Sequence, residues 1–464
     1  MMDISGKHFQ AIIIGTGQSG KPLATDLGKA GWPTAVIEQQ FVGGSCINYG
    51  CTPTKSMIAS ARAAYVAKKA ADYGVQVSQV KVDLEKIIQR KDGIVKSFRE
   101  SGRKSLENTP NVILIDGKAN LKSSHEVVVN KKDGTKLTLT GERIIINTGA
   151  NPRIPDIPGL SSIPYLTSTS ILDLTELPSH LIIIGGGYIG LEFGQMFRRF
   201  GSDVTIIQRG DQLLSREDRD VAGAVAEILR EDKIMIELKS EPVKVQKIQN
   251  GNIEVTIETG TKTKTISGSH LLVAAGRIPA SNGLGLENAG VATDSHGYII
   301  SNEYLESSVN GIFVMGDVKG GPAFTHISYD DYRVLKKYFL ENERQSIEGR
   351  FVPYTVFIDP QLGRVGLSGD QARKKGLKIR VAKMPMKYSA RAIETGETRG
   401  FMKVIINAST REILGCAILS SQGGEIMSLI QVSMMGKLPY TALRDAIFAH
   451  PTLAESLNNL FGAI

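Results

Sequence analysis

The feature that most constrains the fold is a strand, a glycine-rich turn and a helix in succession, which occur twice. The first copy begins with the apolar run 11–14, continues into Gly15-x-Gly17-x-x-Gly20, and ends in a second strand-like run that reaches Glu38. In such a unit the glycines let the backbone approach a pyrophosphate at the helix N-terminus, and the acid accepts a hydrogen bond from a ribose hydroxyl. The sequence therefore predicts a dinucleotide site at these four residues.

The second copy starts about 170 residues further along, so the two units are separate structural repeats. The run 181–184 leads into Gly185-x-Gly187-x-x-Gly190, which a helix and another strand-like run follow. Two such units predict two bound dinucleotides. They also predict an α/β fold with two Rossmann-like dinucleotide-binding domains.

The second unit differs from the first where its second strand ends. Gln208 stands at the position of the acid, Arg209 follows it, and Arg216 lies a turn away. Arginine suits a ribose 2′-phosphate, whereas an acid suits a free 2′-hydroxyl. This pattern favours NADPH over NADH, although two simply exposed arginines would give the same pattern.

Two of the three cysteines, Cys46 and Cys51, lie five positions apart between glycines and ahead of a helical run over 54–71. Five helical steps rise about 7.5 Å, which exceeds the Cα separation that a disulfide tolerates. A bridge would therefore need a distorted backbone, which Asn48 and Gly50 tolerate. A strained bridge at a helix N-terminus is a redox device. The alternatives are two buried thiols or a zinc site, but the remaining Cys416 is isolated in an apolar run.

Two further stretches contain candidate site residues. Asp317 follows a strand-like run and a glycine, where a cofactor contact and a helix N-cap are equally consistent with the spacing. In the second stretch, Glu455 follows the pair His450-Pro451 at a distance suited to orient the imidazole. A histidine held by a carboxylate is a general base, although a histidine before a helix is more often a cap.

Composition narrows the class of protein. A chain of 464 residues exceeds one core, and three cysteines argue against a secreted disulfide scaffold. The net charge of +8 is scattered, which argues against nucleic-acid binding. The first ten residues have no long apolar stretch, so neither a signal peptide nor a membrane anchor is predicted, and a cytoplasmic location is expected.

Together these residues resemble the class I pyridine nucleotide–disulfide oxidoreductases, which include glutathione reductase, dihydrolipoamide dehydrogenase and mercuric reductase. The resemblance covers essentially the whole chain. It rests on five motifs in the family's order: Gly-Gly-Ser-Cys46-x-x-x-x-Cys51-x-Pro-x-Lys55, the two glycine fingerprints, Gly316-Asp317, and His450-Pro451-Thr452-x-x-Glu455.

The resemblance implies a discontinuous FAD domain over 1–150 and 275–345, an NAD(P)H domain over 151–274, and an α+β dimerisation domain over 346–464. The implied FAD contacts are Gly15, Gly17, Gly20, Glu38, Gly44, Ser45, Thr148, Gly149 and Asp317. The implied NADPH contacts are Gly185, Gly187, Tyr188, Gly190, Arg209, Arg216 and Gly276.

The family also implies a mechanism. Cys51 would be the thiol against the flavin, and Cys46 the outer thiol that attacks the substrate. His450, held by Glu455, would come from the other subunit of a homodimer and move the proton. Lys55 and Glu192 match the ion pair beside the reactive nitrogen of the flavin.

The likeness is greatest to the mercuric-reductase-like branch, and the stretch 324–332 resembles bacterial flavoprotein reductases linked to copper or reactive-chlorine stress. Unlike mercuric reductases, the sequence has no cysteine pair near residue 464, and packing is the expected role of Met384 and Met386. No resident metal site is expected. The acceptor stays open between a disulfide, a lipoyl group and a soft metal ion. The alternatives are an NAD-dependent dihydrolipoamide dehydrogenase and a non-catalytic flavoprotein assembly module.

Overall fold

The computed structural model describes residues 6–464. Up to Pro152 a strand–helix–strand unit is followed by three α-helices and then by five strands in succession. The strands and helices are β1 (His8–Ile14), α1 (Gly20–Lys29), β2 (Thr34–Glu38), α2 (Gly44–Asn48), α3 (Cys51–Lys68), α4 (Leu84–Glu107), β3 (Val112–Asp116), β4 (Lys118–Leu121), β5 (Glu126–Asn130), β6 (Lys136–Ile146) and β7 (Ala150–Pro152).

The next stretch contains the second glycine fingerprint. Its elements are β8 (His180–Ile184), α5 (Tyr188–Phe200), β9 (Asp203–Gln208), α6 (Arg219–Glu231), β10 (Met235–Leu238), β11 (Glu241–Lys247), β12 (Ile253–Thr259), β13 (Lys262–Gly268) and β14 (His270–Val273).

The remaining stretch is mixed. Its elements are β15 (Arg277–Pro279), β16 (Ile312–Val314), α7 (Thr325–Glu341), β17 (Tyr354–Val356), β18 (Gln361–Gly366), α8 (Gly369–Lys374), β19 (Ile379–Pro385), α9 (Ala390–Glu394), β20 (Phe401–Asn407), β21 (Ile413–Ser420), α10 (Gly423–Met435), α11 (Tyr440–Arg444) and α12 (Ser456–Gly462).

The chain divides into two compact units. The first holds residues 6–56 with Lys86–Arg153 and Gly276–Arg350, and the second holds Met57–Glu85, Ile154–Ala275 and Phe351–Ile464. The first unit is discontinuous in sequence, because Gly276–Arg350 returns to it after Ile154–Ala275. The three-domain division itself stays a prediction.

The first unit is built on a seven-stranded sheet in the order β3-β2-β1-β6-β5-β4, with β16 also paired to β6. Strands β3, β2, β1, β6 and β16 are parallel, and their apolar runs are buried because helices and loops cover both faces. The carboxyl ends of parallel strands meet at one edge, so Ile14, Glu38 and Ile146 end beside one another.

The second unit contains three sheets. The parallel order β10-β9-β8-β14 surrounds the second fingerprint, and the antiparallel strands β11, β12 and β13 pack near it around Val245, Val255 and Ile257. The antiparallel sheet β17-β18-β21-β20-β19 is covered by α10, α11 and α12, with Cys416 in its core. The architecture is the predicted α/β fold with an additional α+β domain.

Two predicted helices differ in their limits. Helix α3 begins at Cys51 rather than at residue 54, because Pro53 lies in the first turn, where a missing N–H costs nothing. The sequence also predicts a polar helix over 72–110, from apolar residues near helical spacing, but α4 begins only at Leu84. The preceding stretch carries β-branched Val75, Val77, Val80 and Val82, which disfavour a helix. No helix within residues 6–464 is long and apolar enough to cross a membrane.

Candidate active site

The two cysteines lie on either side of a break between helices. Cys46 is in α2, which ends at Asn48, and Cys51 is the first residue of α3. A side chain at Gly50 would come within 3.0 Å of the Ser45 carbonyl oxygen, so glycine allows the two helices to approach. The expectation of an irregular backbone between the cysteines is confirmed, but Gly50 contributes by its small size rather than by an unusual φ.

Asn48 also acts differently from its prediction, since it has helical geometry and contributes through its side chain. Its Nδ2 donates to the carbonyl oxygens of Gly44 at 2.9 Å and Val42 at 3.1 Å, and Arg99 Nε donates to its Oδ1 at 2.9 Å. The Asn48 side chain is buried, and both its Nδ2 and its Oδ1 are hydrogen-bonded. It therefore holds α2, which contains Cys46, against the loop that precedes it.

The Thr325 hydroxyl, at the start of α7, lies 3.3 Å from Cys51 Sγ. Cys51 and Thr325 are both near enough to Cys46 to affect its pKa. The hydrogen bond with Cys51 and burial raise the pKa of Cys46, while Thr325 and the charge of Lys55 act in the opposite direction. Thr325 is a site residue that the sequence analysis missed.

The first fingerprint forms the tight turn that a pyrophosphate site needs. A Cβ at Gly15 would collide with the Asn147 carbonyl oxygen, and one at Gly20 with the Gly15 carbonyl oxygen. A Cβ at Gly44, where φ is 62°, would come within 2.8 Å of Gly17 Cα. The loop before the cysteines therefore lies directly on this turn, and only glycine allows it to approach so closely.

Glu38 lies at the end of β2 beside the same turn. Its Oε2 accepts hydrogen bonds from the Thr16 backbone N–H at 3.1 Å and the Thr16 hydroxyl at 2.6 Å, and its Oε1 accepts from Gln40 N–H at 3.0 Å. The carboxylate is thus fixed at the position predicted for ribose recognition, with further lone pairs on its two oxygens.

Two groups at the sheet edge suit a bound cofactor. Thr148 Oγ1 is buried and has no hydrogen-bond partner within residues 6–464, and it precedes Gly149, whose φ is 75°. Burial raises the pKa of Asp317, although Arg277 and Lys319 act to lower it. A ligand with several hydroxyl groups would satisfy both side chains, so these residues fit the ribityl chain of FAD.

The second fingerprint repeats the close turn. A Cβ at Gly185 would collide with the Ala274 carbonyl oxygen, and one at Gly190 with the Gly185 carbonyl oxygen, whereas Gly187 is open and precedes Tyr188 at the start of α5. Gly276, predicted beside it, has a φ of 111° just after β14. Helix α5 therefore begins beside an uncrowded position, as a phosphate site at a helix N-terminus requires.

Gln208 takes the place of a ribose-binding acid, and its Oε1 accepts a hydrogen bond from Gly186 N–H at 2.9 Å. Arg209 and Arg216 are exposed, and neither forms an ion pair or hydrogen bond within residues 6–464. Two unpaired guanidinium groups near this turn suit an additional phosphate.

The turn that carries Arg216 is held in place by its two acidic neighbours. Tyr354 donates a hydrogen bond to Glu217, and Arg364 lies 3.3 Å from it; burial raises the pKa of Glu217, while both partners lower it. The next residue, Asp218, accepts hydrogen bonds from Lys403 at 2.8 Å and Gly369 N–H at 2.9 Å. The sequence analysis did not identify these anchors.

The residues of the predicted flavin-side ion pair belong to different units. Lys55 lies in α3, half-buried. Glu192 is buried in α5, where its Oε1 accepts a hydrogen bond from Phe357 N–H at 2.9 Å. Their pairing stays a prediction.

His450 and Glu455 are in contact, as their spacing predicted. The Glu455 oxygens lie 2.9 and 3.0 Å from His450 Nδ1, and the Glu455 N–H donates to Thr452 Oγ1 at 3.2 Å. The imidazole is largely exposed, with a relative side-chain accessibility of 67%. The carboxylate therefore orients the ring and leaves Nε2 available to another molecule.

No group of three or more His, Cys, Asp or Glu side chains within residues 6–464 is arranged to hold a metal ion. Met384 and Met386 are buried in the core of the second unit, consistent with their predicted packing role.

Comparison with known proteins identifies the family. Residues 9–331 match the pyridine nucleotide-disulphide oxidoreductase family, and residues 352–461 match its dimerisation domain. The chain is 40% identical to the probable pyridine nucleotide-disulfide oxidoreductase RclA of Escherichia coli, over 98% of this chain and 99% of that protein. It is 33% identical to a mercuric reductase of Staphylococcus aureus, over 97% and 81% of the two chains.

A solved structure gives the same result. The Cu(II) complex of the HOCl-induced flavoprotein disulfide reductase RclA from Escherichia coli is 39% identical, has a TM-score of 0.90, and is matched over 99% of this chain and 100% of that one. This family uses FAD and a pyridine nucleotide. The protein is therefore a member of the class I pyridine nucleotide–disulfide oxidoreductases.

Proposed function

We propose that the protein takes electrons from NADPH, passes them through FAD to a Cys46–Cys51 disulfide, and delivers them to a disulfide or soft metal-ion acceptor. The observation that carries this proposal is the close pair of thiols on either side of a helix break, next to the first dinucleotide turn. A pair so close can form and break a disulfide with little backbone movement.

FAD would be held by Gly15, Gly17, Gly20, Glu38, Gly44, Ser45, Thr148, Gly149 and Asp317. Bound FAD supplies transfer of an electron pair from a reduced nicotinamide to a second acceptor. The unpaired Thr148 hydroxyl and the desolvated Asp317 support its assignment to this edge of the sheet.

The electron balance fixes the state of the cysteines. One hydride equivalent carries two electrons and one proton, so it breaks the sulfur–sulfur bond and leaves one thiol and one thiolate. We assign the proton to Cys46 and the charge to Cys51, in keeping with the raised pKa of Cys46 beside Cys51 and in a buried position. Cys46 then needs a base before it can attack an acceptor.

His450 would be that base, oriented by Glu455 and supplied by the other subunit of a homodimer. The dimerisation-domain match supports the dimer, and so does the exposed face of α10, where Leu429, Val432 and Met435 are 42%, 67% and 62% accessible. The proton from Cys46 would pass to Nε2, because Nδ1 faces the carboxylate.

NADPH would bind at Gly185, Gly187, Tyr188, Gly190 and Gly276, with its 2′-phosphate at Arg209 and Arg216. The unpaired arginines, and the glutamine in place of an acid, support NADPH over NADH. A relay driven by NADPH belongs in a reducing compartment, which supports a cytoplasmic location.

The acceptor is best decided by NADPH oxidation with Cu(II), Hg(II) in excess thiol, glutathione disulfide and lipoamide side by side. Cu(II) is included because one similar solved structure is a Cu(II) complex of a flavoprotein disulfide reductase. With an accepted substrate, Cys46→Ser should abolish turnover while NADPH still bleaches the flavin. Turnover that survives Cys46→Ser would rule out the thiol relay.

Cys416→Ser is the matched control. Cys416 lies in β21, fully buried, and burial raises its pKa to about 12, so it takes no part in thiol chemistry near neutral pH. Its substitution should leave the acceptor profile unchanged. If the purified protein bound no FAD, or if NADPH did not reduce its flavin, the result would instead favour the alternative of a non-catalytic flavoprotein assembly module.

A further inference from the structure

We propose that Tyr354 and Arg364 are positioning residues for the choice of coenzyme. They act through Glu217, and so hold Arg216 where the 2′-phosphate of NADPH would bind. The inference rests on the proposed NADPH site and adds two residues to it. Both residues lie in the antiparallel sheet β17-β18-β21-β20-β19, outside the stretch that contains the second fingerprint.

Arg216 lies on a tight turn. The Glu217 N–H donates to the Leu214 carbonyl oxygen at 2.8 Å, which closes a four-residue turn with Arg216 at its third position. Leu214 has a φ of 47°, in the left-handed region that a leucine rarely adopts. A turn with such strain keeps its shape only when surrounding contacts hold it.

The residues before Arg216 are fixed to the second fingerprint. The Leu214 N–H donates to the Gly186 carbonyl oxygen at 3.0 Å, and the Gly186 N–H donates to Gln208 Oε1 at 2.9 Å. Leu213 is buried, and a Cβ at Gly186 would come within 2.7 Å of its side chain. The start of the turn therefore has a fixed position relative to the glycines of the proposed nucleotide site.

The residue after Arg216 is fixed to the antiparallel sheet instead. Tyr354 donates a hydrogen bond to Glu217 Oε1, and Arg364 Nε lies 3.3 Å from Glu217 Oε2. The side chains of Glu217 and Arg364 are only 2% and 4% exposed. A buried carboxylate must stay beside its partners, because it is costly to bury without them. Glu217 therefore lies where these two groups meet.

Arg364 is itself held in β18. Its Nη1 donates to the carbonyl oxygens of Val365 at 2.7 Å, Gly366 at 3.1 Å and Cys416 at 3.1 Å. A guanidinium with these three partners cannot follow Glu217 if the turn moves. The sheet therefore determines the position of Glu217, and not the reverse.

Arg216 depends on this support. Its side chain is exposed and forms no hydrogen bond or ion pair within residues 6–464, so the fold restrains only its backbone. If the turn were mobile, binding of a phosphate would have to order it, and this ordering would weaken affinity. Loss of a contact to Glu217 should therefore weaken NADPH, whereas NADH has no 2′-phosphate and should bind as before.

The test is binding of NADP⁺ and NAD⁺ to the FAD-loaded enzyme, measured by isothermal titration calorimetry. Flavin reduction by NADPH and NADH, followed by anaerobic stopped-flow absorbance, is a second readout that needs no acceptor. Tyr354→Phe removes only the hydroxyl. Since a hydrogen bond to a charged group alters an equilibrium about tenfold, the Kd for NADP⁺ should rise about three- to tenfold and that for NAD⁺ should stay nearly unchanged.

A double variant shows whether Tyr354 acts through Arg216. Arg216→Gln alone should weaken NADP⁺ about tenfold, and Tyr354→Phe in the same protein should weaken it no further, because residues that act together are not additive. Losses that multiply would overturn the positioning role. If Tyr354→Phe does not fold, Glu217→Gln, which removes the charge and keeps the shape, undergoes the same comparison.

Tyr332→Phe is the matched control. Tyr332 also donates to a carboxylate, that of Asp26 at 2.6 Å, but in the first unit, so its loss should leave the preference for NADP⁺ unchanged. If Arg216→Gln does not alter this preference, the assignment of the 2′-phosphate to Arg216 and this inference both fail. If it does, but Tyr354→Phe weakens both nucleotides equally or neither, only the positioning role fails.

Discussion

The ammonium group of Lys403 lies 2.8 Å from the Asp218 carboxylate, and both side chains are less than a tenth exposed. Strand β20 is thereby joined to the residue that precedes α6. Burial acts to raise the pKa of Asp218, but hydrogen bonds from Lys403 and from the Asp370 and Gly369 N–H groups lower it to about 2.

Lys403→Met should lower the free energy of unfolding at pH 7 by about 3 kcal/mol, since it leaves a buried carboxylate without its charged partner. The folded pKa of Asp218 is lower than its ordinary 3.8, so the unfolded chain takes up the proton first as the pH falls. The stabilisation is complete above about pH 4 and is lost as the pH falls through 2. The difference between variant and wild type should therefore shrink over that range.

Urea unfolding at several pH values measures this. Lys383→Met is the control, because Lys383 lies on the neighbouring strand and contacts Asp220 at 3.5 Å with both side chains well exposed. Its effect should stay below about 1 kcal/mol. Equal losses in the two variants would contradict the importance of burial.

Arg216→Gln should raise the KM for NADPH about tenfold or more and leave the KM for NADH nearly unchanged, because only NADPH has the additional phosphate. Steady-state kinetics with both nucleotides measures the change. Arg219→Gln is the control, since Arg219 is also exposed but pairs with Asp211 at 2.6 Å. A similar loss with both nucleotides would mean that Arg216 does not recognise the phosphate.

His450→Gln should lower kcat about 10²- to 10³-fold, the usual contribution of a positioned acid or base. Flavin reduction by NADPH should stay normal, since this half-reaction does not need the base. Stopped-flow absorbance separates the two steps. His8→Gln, at another exposed histidine, should change neither; a slow flavin reduction in His450→Gln would assign the residue elsewhere.

Thr148→Val should stabilise the FAD-free protein by about 1 kcal/mol, because it removes a buried hydroxyl that has no partner in the chain. The same change should weaken FAD binding, because the ligand loses a hydrogen bond. Thermal denaturation with and without FAD checks both signs. Unchanged FAD affinity would exclude contact between Thr148 and the cofactor.

Local patterns predicted most of this structure. Both glycine fingerprints lie between the expected strand and helix, and the spacing of His450 and Glu455 gave a real contact, since neighbours in sequence are constrained to be neighbours in space. The contact of Thr325 with Cys51 was not predicted, because the two residues are far apart in sequence and no periodic pattern includes Thr325. Asn48 was identified for its tolerance of unusual backbone angles, whereas its side-chain amide holds the segment through hydrogen bonds.

The anchors of the turn that carries Arg216 were missed for the same reason. The anchoring side chains lie on strands with no distinguishing sequence pattern, at Tyr354, Arg364 and Lys403. Only the tertiary fold brings them to Glu217 and Asp218. A charged residue in an apolar strand is a usable signal, because it must find a partner when it is buried. Lys403 in the run Phe401–Asn407 is such a residue.

Helix α5 has a polar stripe that determines how the second unit could be re-engineered. Glu192 binds the Phe357 N–H, Gln195 exchanges hydrogen bonds with the Asp359 backbone at 2.7 and 2.9 Å, and Arg199 lies 2.6 Å from the Asp359 carboxylate. Helix α5 therefore cannot be exchanged on its own for the corresponding helix of a relative. A chimera that exchanged α5 for that of a relative would bury unmatched donors and acceptors unless residues 357–359 were transplanted with it.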